Sequence, residues 1–245
     1  MKLSGKVAVV TGGSRGIGAA IARKLATEGA HAAIFCRSNG AAAESTVRAI
    51  REAGGTASLV LVDVADEVAV RSAMRDVAAT FGCIDVLVNN AGIFESAPLG
   101  QISRQSFQDQ FSTNAWSVLA TTQAALDHFP STGGAIVNVS SSLAVRPEPE
   151  TVAYSASKAA VDSLTLGCAI ELGARSIRVN AVAPAITHTD MTADIPPQQL
   201  QDEVRLTPLG RLAEPDDIAD VVAFLCSNDA RWITGRSILV DGGRV

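Results

Sequence analysis

The sequence predicts a single α/β domain, built on a doubly wound parallel sheet with helices on both faces. Short, continuously apolar segments alternate with helical segments along all 245 residues. Strands that are buried on both faces have this composition, because helices cover each side of a parallel sheet. No linker, repeat or low-complexity segment interrupts the alternation. The third observation is a glycine-rich turn at residues 11–18, between the first apolar segment and the first helix.

The elements follow in a regular order along residues 1–245. Strands are predicted at about residues 7–10, 32–35, 57–62, 85–88, 135–139, 177–182 and 237–240. Helices are predicted from residue 19 onward and at about residues 41–53, 67–81, 105–129, 152–173 and 215–225. Gly54, Gly82 and Pro130 end three of these helices, because glycine suits a helix cap and proline cannot continue a helix. The polar, proline-containing stretch at about residues 186–212 is predicted to form a substrate lid.

The composition argues against several classes of partner and location. A net charge of −5 and the lack of a basic run argue against a nucleic-acid partner. The apolar runs are far shorter than the ~20 residues that span a bilayer, and the first strand begins too early for a signal peptide. The four cysteines are widely spaced and form no CxxC pair. We therefore expect reduced thiols, no metal site, no membrane partner and a cytoplasmic location.

Two turns are candidates for a dinucleotide site. Gly12, Gly16 and Gly18 let the backbone turn tightly, and the first N–H groups of the following helix attract negative charge. A pyrophosphate fits such a turn. Residues 89–92, Asn-Asn-Ala-Gly, follow the fourth strand and would face the same ligand, because ligands lie across the carboxyl ends of the strands. Taken alone, either turn is also compatible with simple chain reversal.

Tyr154 and Lys158 are one helical turn apart, so the phenol and the ammonium lie on one helix face. An ammonium ~4 Å from the phenol is worth about 4 kcal/mol at an effective dielectric of ~20. This would lower the phenol pKa from ~10 by up to about 3 and make the phenol a proton donor near pH 7. Ser141, after the fifth strand, could hold a substrate carbonyl against the phenol. Taken alone, a surface Tyr–Lys pair and a loop serine are the simpler interpretations.

Together these motifs resemble the short-chain dehydrogenase/reductase family over the whole chain, because TGxxxGxG, NNAG, a serine and YxxxK occur in the family's order and spacing. The resemblance implies a Rossmann-type fold and the catalytic residues Asn114, Ser141, Tyr154 and Lys158. In the family, Asn114 would hold a water that resupplies the proton through Lys158. The residues implied to bind the cofactor are Gly12, Ser14, Arg15, Gly16, Ile17, Gly18, Arg37, Ser38, Asp63, Val64, Asn90, Ala91, Gly92, Tyr154, Lys158, Pro184, Thr187 and Thr189.

The choice of dinucleotide can be argued from charge. An NAD-selective site usually carries an acid about 20 residues after the glycines, which binds the ribose 2′-hydroxyl. Arg37 and Ser38 take that place here, and Arg15 projects from the glycine turn toward the same region. A hydrogen bond to a charged group contributes ~1.5–3 kcal/mol. We predict NADP(H) rather than NAD(H); the alternative is that both arginines are solvated.

The lid and the C-terminal motifs resemble 3-oxoacyl-[acyl-carrier-protein] reductases, which implies reduction of a ketone, carried as an acyl thioester, to a secondary alcohol. Residues 127–134 lack the basic side chains with which such reductases usually dock the acidic carrier protein, and only Arg175 matches a docking position. A weaker positive patch slows association with an acidic partner. A free small-molecule ketone or a specialised biosynthetic intermediate is therefore the alternative substrate. A non-catalytic NADP-binding scaffold is a third reading, because fold alone does not establish function.

Other residues near the expected substrate mouth allow two interpretations. Arg146 could bind a substrate carboxylate or phosphate, and His188 could touch the substrate from the lid. For both side chains, a solvated position is the simpler interpretation. Met191 either lines an apolar pocket or fastens the lid.

The resemblance also implies a homotetramer or a homodimer, because members of the family commonly pair through their two longest helices and the C-terminal strand. The predicted helix at residues 152–173 has a small, apolar face that would suit such packing. Its members are Ala159, Ala160, Leu164 and Cys168.

Overall fold

Seven parallel strands form one sheet at the centre of the molecule. The structure is a computed structural model that describes residues 1–38 and 40–244. The strands are β1 (Val7–Thr11), β2 (His31–Cys36), β3 (Thr56–Leu61), β4 (Val86–Asn89), β5 (Gly134–Val139), β6 (Ile177–Pro184) and β7 (Ser237–Val240). They are arranged in the order β3-β2-β1-β4-β5-β6-β7. The predicted fold class is confirmed.

β1 is the strand at which the order of the sheet reverses. It pairs with β2 on one side, through Val10 and Ile34, and with β4 on the other, through Val10 and Val88. The segments that follow β1 and β4 diverge at this point and open a crevice at the carboxyl edge of the sheet. The glycine turn after β1 and the Asn-Ala-Gly segment after β4 both lie at this crevice.

Eight α-helices, counted over the described residues, surround the sheet. They are α1 (Gly16–Thr27), α2 (Gly40–Glu52), α3 (Glu67–Phe81), α4 (Arg104–Phe111), α5 (Ser117–Ala125), α6 (Val152–Leu172), α7 (Pro197–Leu206) and α8 (Pro215–Cys226). Within this part of the chain, no helix combines the length and the apolar character that crossing a bilayer requires. All four cysteines are free thiols, and Cys36 and Cys226 are buried.

Two apolar layers cover the two faces of the sheet. One contains Val10 together with Leu25 of α1 and Val222 of α8. The other contains Val9 together with Met74 of α3 and, among its further members, residues of α5 and α6. Neighbouring residues of a strand point to opposite faces, which is why Val9 and Val10 belong to different layers. The continuous apolar character of the strands thus reflects burial on both sides.

The helix predicted at residues 105–129 is not continuous. α4 ends at Phe111, a π-helical turn occupies Ser112–Trp116, and α5 ends at Ala125. The Ser117 hydroxyl donates a hydrogen bond to the main-chain oxygen of Thr113 (2.6 Å), which supplies a partner within the widened turn. The predicted lid also differs, because it contains the helix α7. Pro197 begins α7, at a position where proline needs no backbone donor.

Candidate active site

Ser141 and Tyr154 come together at the carboxyl end of β5. Ser141 lies two residues beyond β5, and its hydroxyl accepts a hydrogen bond from the N–H of Leu143 (3.2 Å), which turns the chain away from the sheet. Tyr154 lies in the first turn of α6 and is half-buried. A hydrogen bond joins the side chains of Ser141 and Tyr154. The two hydroxyls therefore form one site, as the spacing predicts.

Lys158 lies one turn further along α6 and is almost fully buried, with 4% of its surface exposed. Its Nζ donates a hydrogen bond to the main-chain oxygen of Val139 (2.9 Å) and lies 5.8 Å from the centre of the Tyr154 ring. Burial lowers the pKa of Lys158 to about 8, although the carboxylate of Asp162 opposes this shift. The ammonium thus faces the same site as the phenol.

The structure corrects the prediction that Lys158 lowers the pKa of Tyr154. Burial raises the pKa of Tyr154 to about 12, and the hydrogen bond with Ser141 offsets only part of this rise. The physical reason is that moving a phenolate out of water costs more free energy than a hydrogen bond from one hydroxyl group recovers. The Lys158 ammonium donates its hydrogen bond to Val139 and lies over the face of the Tyr154 ring. It therefore does not set the pKa of the phenol.

Asn114 lies in the π-helical turn and is fully buried. Its Oδ1 accepts a hydrogen bond from the N–H of Ile93 (2.8 Å), and its Nδ2 donates to the main-chain oxygen of Ile93 (2.9 Å). Nδ2 also donates to Oγ of Ser157 (3.0 Å), whose hydroxyl donates to the main-chain oxygen of Tyr154 (2.7 Å). Both amide hydrogens are therefore used, and Oδ1 keeps one lone pair for a further donor.

Gly92 lies between Asn114 and Lys158. A Cβ atom at this position would be 3.1 Å from Oδ1 of Asn114 and 3.4 Å from Nζ of Lys158. A larger residue would therefore press on the side chains of both Asn114 and Lys158. Ala91, beside Gly92, is held by its N–H, which donates to Oγ1 of Thr11 (3.0 Å).

The glycine turn leaves the start of α1 open. Gly12 has a φ of +63°, a conformation that favours glycine, and a Cβ on Gly18 would overlap the oxygen of Gly12 and Nδ2 of Asn90. Nδ2 of Asn90 donates to the main-chain oxygens of Thr11 (2.9 Å) and Gly12 (3.1 Å), which fastens β4 to the turn. Arg15 is the N-cap of α1, and no side chain caps this helix. An anionic group fits these free N–H groups.

The remaining residues of the turn have structural contacts as well. The main-chain oxygen of Ser14 accepts a hydrogen bond from Oγ1 of Thr46 in α2 (3.1 Å). Ile17 packs against the apolar layer of α1 and α8. Both positions are partly accessible, so each borders the crevice.

The arginines predicted to select the cofactor each face a carboxylate. Nη1 of Arg37, after β2, lies 3.8 Å from Oδ2 of Asp63, after β3, and Nη1 of Arg15 lies 3.3 Å from Oδ2 of Asp190 in the lid. All four side chains keep contact with solvent, and exposed ion pairs are worth only ~0–1 kcal/mol, so a phosphate can displace them. Ser38, beside Arg37, is exposed, whereas Asp63 is partly buried and Val64 is buried.

The first part of the lid lies on the glycine turn. Pro184 ends β6, and the buried Thr187 donates a hydrogen bond from Oγ1 to the main-chain oxygen of Ala185 (3.0 Å). Cγ2 of Thr189 would lie 3.2 Å from a Cβ on Gly16, which has a φ of +53°. Of the lid residues in the predicted cofactor set, Thr189 thus lies against the glycine turn.

A cluster of charged residues, the C-terminal ion cluster, joins the lid to the segment after Ser141. It consists of Arg146, Glu148, Glu203, Asp241 and Arg244. Arg244 donates to both carboxylate oxygens of Glu203 in α7 (2.9 and 3.1 Å) and to Glu148 (3.3 Å). Arg146 donates to Asp241 (2.8 Å). The structure therefore places Arg146 in an ion pair with Asp241, with 32% of its side chain still exposed.

The other two residues singled out near the mouth lie at its surface. Nδ1 of His188 is 2.6 Å from Oε1 of Glu214, and both side chains are exposed. Met191 is also exposed, so it does not line a closed apolar pocket.

A row of buried, hydrogen-bonded polar side chains beneath the site is not predicted by the sequence motifs. Nδ2 of Asn89 donates to Oδ1 of Asn138 (2.9 Å), and Nδ2 of Asn138 donates to Oγ1 of Thr165 in α6 (2.8 Å). Thr121 in α5 donates to Oδ1 of Asn89 (2.6 Å). These bonds fix α5 and α6 relative to β4 and β5. An asparagine within an apolar strand is the sequence signal that could have revealed them, because an unpaired buried amide is costly.

Comparison with known proteins agrees with this geometry. A family model described as enoyl-(acyl carrier protein) reductase matches residues 12–244. The chain is 42% identical to cis-4-hydroxycyclohexanecarboxylate dehydrogenase of Sinomonas cyclohexanicum, with 97% of this chain and 96% of the relative covered. It is 40% identical to 3beta-hydroxysteroid dehydrogenase 1 of Eggerthella lenta (98% and 94% covered). It is 39% identical to the 3-oxoacyl-[acyl-carrier-protein] reductase of Staphylococcus aureus (99% of each).

Two solved structures resemble the whole chain. A short-chain dehydrogenase from Burkholderia cenocepacia in complex with NADP has a TM-score of 0.94 and 40% identity, with 100% of this chain and 99% of that chain covered. A blue fluorescent protein from a metagenomic library in complex with NADPH has a TM-score of 0.93 and 40% identity, with 100% of each chain covered. From the shared fold, the matched family model and the assembled Ser-Tyr-Lys-Asn site, the chain belongs to the short-chain dehydrogenase/reductase family of oxidoreductases.

Proposed function

We propose that this protein binds NADP(H) and reduces a ketone to a secondary alcohol. The observation that carries the proposal is the convergence of four side chains at the carboxyl edge of the sheet. Ser141 is hydrogen-bonded to Tyr154, Lys158 lies over the Tyr154 ring, and Asn114 reaches Tyr154 through Ser157. A non-catalytic scaffold on the same fold would have no need of this set.

The residues of the crevice fit a phosphorylated dinucleotide. The uncapped start of α1 and the close-packed Gly18 suit a pyrophosphate. Arg15 and Arg37, after β1 and β2, would exchange their weak carboxylate partners for a 2′-phosphate, which supports NADP(H) over NAD(H). Two proteins with the same fold bind NADP or NADPH, which is further support.

The chain's own residues supply positioning and a proton. When bound, the reduced nicotinamide would supply the hydride. Ser141 would hold the substrate oxygen by a hydrogen bond, and Tyr154 would donate its proton to that oxygen. With a pKa of about 12, Tyr154 carries its proton at neutral pH, and it can pass this proton to the more basic alkoxide oxygen that hydride transfer creates. The remaining lone pair on Oδ1 of Asn114 would accept a hydrogen bond from a water, and that water would resupply a proton to the phenol through Lys158.

The substrate has two candidate classes. A relative that is 39% identical is a 3-oxoacyl-[acyl-carrier-protein] reductase, which supports an acyl-thioester ketone. Two other relatives, at 40% and 42% identity, are named for a hydroxysteroid and a hydroxycyclohexanecarboxylate, which supports a free ketone. Residues 127–134 contain no lysine or arginine, and Arg175 alone matches a position for docking a carrier protein, which supports the free ketone.

The proposal extends to a cytoplasmic homo-oligomer, a tetramer or a dimer. Its support is the α6 surface, where Val152, Ala159, Leu166 and Ile170 are exposed in the isolated chain. Of the face predicted from the sequence, Ala159 is exposed, whereas Ala160, Leu164 and Cys168 are partly exposed.

A panel of ketones tests the proposal. Purified protein is given cyclic ketones, simple aliphatic ketones and acetoacetyl thioesters, each with NADPH and with NADH, and loss of the reduced-nicotinamide absorbance is measured. We expect turnover with NADPH, and Tyr154→Phe should lower kcat by ~10²–10⁴-fold without changing NADPH affinity. No turnover of any ketone, or full activity of the variant, would overturn the proposed reaction. Equal catalytic efficiencies with the two cofactors would overturn the preference for NADPH.

A further inference from the structure

Phe94 is an exposed aromatic residue beside the proton donor. Its ring centre lies 4.9 Å from that of Tyr154, and the two rings are at 85° to each other. The contact is an edge-to-face pair of the kind that fixes the orientation of both rings. Phe94 nevertheless leaves 41% of its surface exposed, so the contact with Tyr154 covers only part of the ring.

The position of Phe94 is fixed by catalytic and neighbouring residues. Asn114 binds both backbone groups of Ile93, the preceding residue. Gln110 binds both backbone groups of Glu95, the following residue, at 3.4 and 3.3 Å. The backbone on each side of Phe94 is therefore held in place, and the ring is a fixed wall beside Tyr154 and not a mobile loop side chain.

The cations of the neighbouring segments are already paired. Between Ser141 and Lys158, and in the C-terminal turn up to residue 244, the described cations are Arg146, Lys158 and Arg244. Arg146 binds Asp241, and Arg244 binds Glu203 and Glu148. Lys158 is buried and bound to Val139. An anionic substrate would have to break one of these ion pairs to gain a cationic partner. It would also be repelled by the three carboxylates of the C-terminal ion cluster, which outnumber its two guanidinium groups.

We infer that the substrate is an uncharged ketone whose apolar substituent packs on Phe94, and that Phe94 is a specificity-determining residue of this enzyme. The inference rests on the proposed ketone reduction and adds the charge and polarity of the substrate. An exposed aromatic face next to the reacting oxygen is stabilised by covering it with apolar atoms. A carboxylate at the same place would lose hydration, and the described cations of residues 141–158 and 241–244 are already bound to other groups.

A matched pair of substrates tests the charge of the substrate. Methyl 4-oxocyclohexanecarboxylate and 4-oxocyclohexanecarboxylate differ in one ester group, which removes the negative charge and keeps the ring. We expect wild-type kcat/KM to be at least about tenfold higher for the ester, the change that 1.4 kcal/mol produces. Equal efficiencies, or a preference for the carboxylate, would overturn the inference. If the wild type reduces neither compound nor any other ketone, the proposed function itself fails.

Variants at position 94 test the specificity residue. Phe94→Ala should raise KM for the ester by about 10- to 100-fold, because it removes an apolar surface worth ~1.5–3 kcal/mol, and it should change kcat much less. Phe94→Leu should restore most of the affinity, and NADPH affinity should stay as in the wild type for both variants. Phe81→Ala is the matched control, since Phe81 is 37% exposed and stacks on His31 at the opposite, amino edge of the sheet. An unchanged KM in Phe94→Ala, or an equal loss in the Phe81 variant, would contradict the assignment.

Discussion

At the scale of single residues, burial acts on the two titratable groups of the site in opposite directions. It raises the pKa of Tyr154 to about 12 and lowers the pKa of Lys158 to about 8, because both charged forms lose water. Tyr154 therefore holds its proton throughout the neutral range, which favours donation to a ketone oxygen. The reverse oxidation needs the phenolate, so oxidation should become faster as the pH rises.

Lys158 should lower the stability of the protein at neutral pH. A fall in its pKa from 10.5 to about 8 corresponds to about 3 kcal/mol. Because the folded-state pKa is the lower one, the unfolded chain binds the proton more tightly between about pH 8 and 10.5. The cost is therefore complete below pH 8 and disappears as the pH rises through this window. Lys158→Met removes the buried charge, shortens the side chain by one atom and should raise Tm at pH 7 by about 6–12 °C.

Thermal unfolding at pH 7 and near pH 10 measures this effect. The gain in Tm of Lys158→Met over the wild type should shrink at the higher pH. Lys2→Met is the control, since Lys2 lies at the surface in an exposed ion pair with Asp229 and should show little change at either pH. A gain that grows with pH would contradict the assigned direction of the Lys158 shift.

At the scale of elements, the π-helical turn and the lid are the parts that shape the site. The turn at Ser112–Trp116 directs Asn114 toward Ile93 and Ser157, which a continuous α-helix would not do with the same residue spacing. The C-terminal ion cluster holds α7 of the lid. Arg244 and Glu203 are largely buried, with 17% and 12% of their side chains exposed, so their pair is screened little by solvent.

Arg244→Ala should loosen α7 because it leaves Glu203 as a buried carboxylate without its main cation. Removing one partner of a buried pair costs ~3–5 kcal/mol. We expect faster amide hydrogen exchange across residues 197–206 and a higher KM for the ketone, with NADPH affinity retained. Arg205→Ala is the matched control on the same helix, because the pair of Arg205 with Asp202 is exposed. Equal exchange in the two variants would show that the cluster does not hold the lid.

At the scale of the whole molecule, α6 leaves large apolar side chains exposed to solvent among the described residues. Leu166 and Ile170 expose 51% and 73% of their surface there, beside the small residue Gly167. Large exposed apolar residues next to each other are typical of an interface. A second copy of the chain would cover them, which is the arrangement we propose.

Ile170→Glu tests this assembly. A buried charge at the interface should convert the oligomer into a smaller species, because the carboxylate would lose water without gaining a cation. Light scattering coupled to size exclusion measures the mass. Val68→Glu, on α3, is the control, since Val68 is 80% exposed and lies away from α6. A mass equal to that of the wild type for Ile170→Glu would rule out this face as the interface.

Much of the fold could be predicted because the information is local. Continuous apolar runs identified all seven strands, and the β1 turn placed the crevice correctly. The helix α7 was missed, since proline and polar residues at its start are typical of loops as well. The π-helical turn was also missed, because its extra residue is stabilised by contacts with Ile93 and Ser157 from other parts of the chain.

The sequence by itself determined the family and the fold class, because motif spacing and strand periodicity are written along the chain, and it predicted the four residues proposed for the site. Only the tertiary structure decided how these groups behave. Burial reversed the expected pKa shift of Tyr154, and distant carboxylates paired Arg15, Arg37 and Arg146. Dehydration and long-range ion pairing depend on neighbours that are far apart in sequence, so residue spacing alone does not encode them.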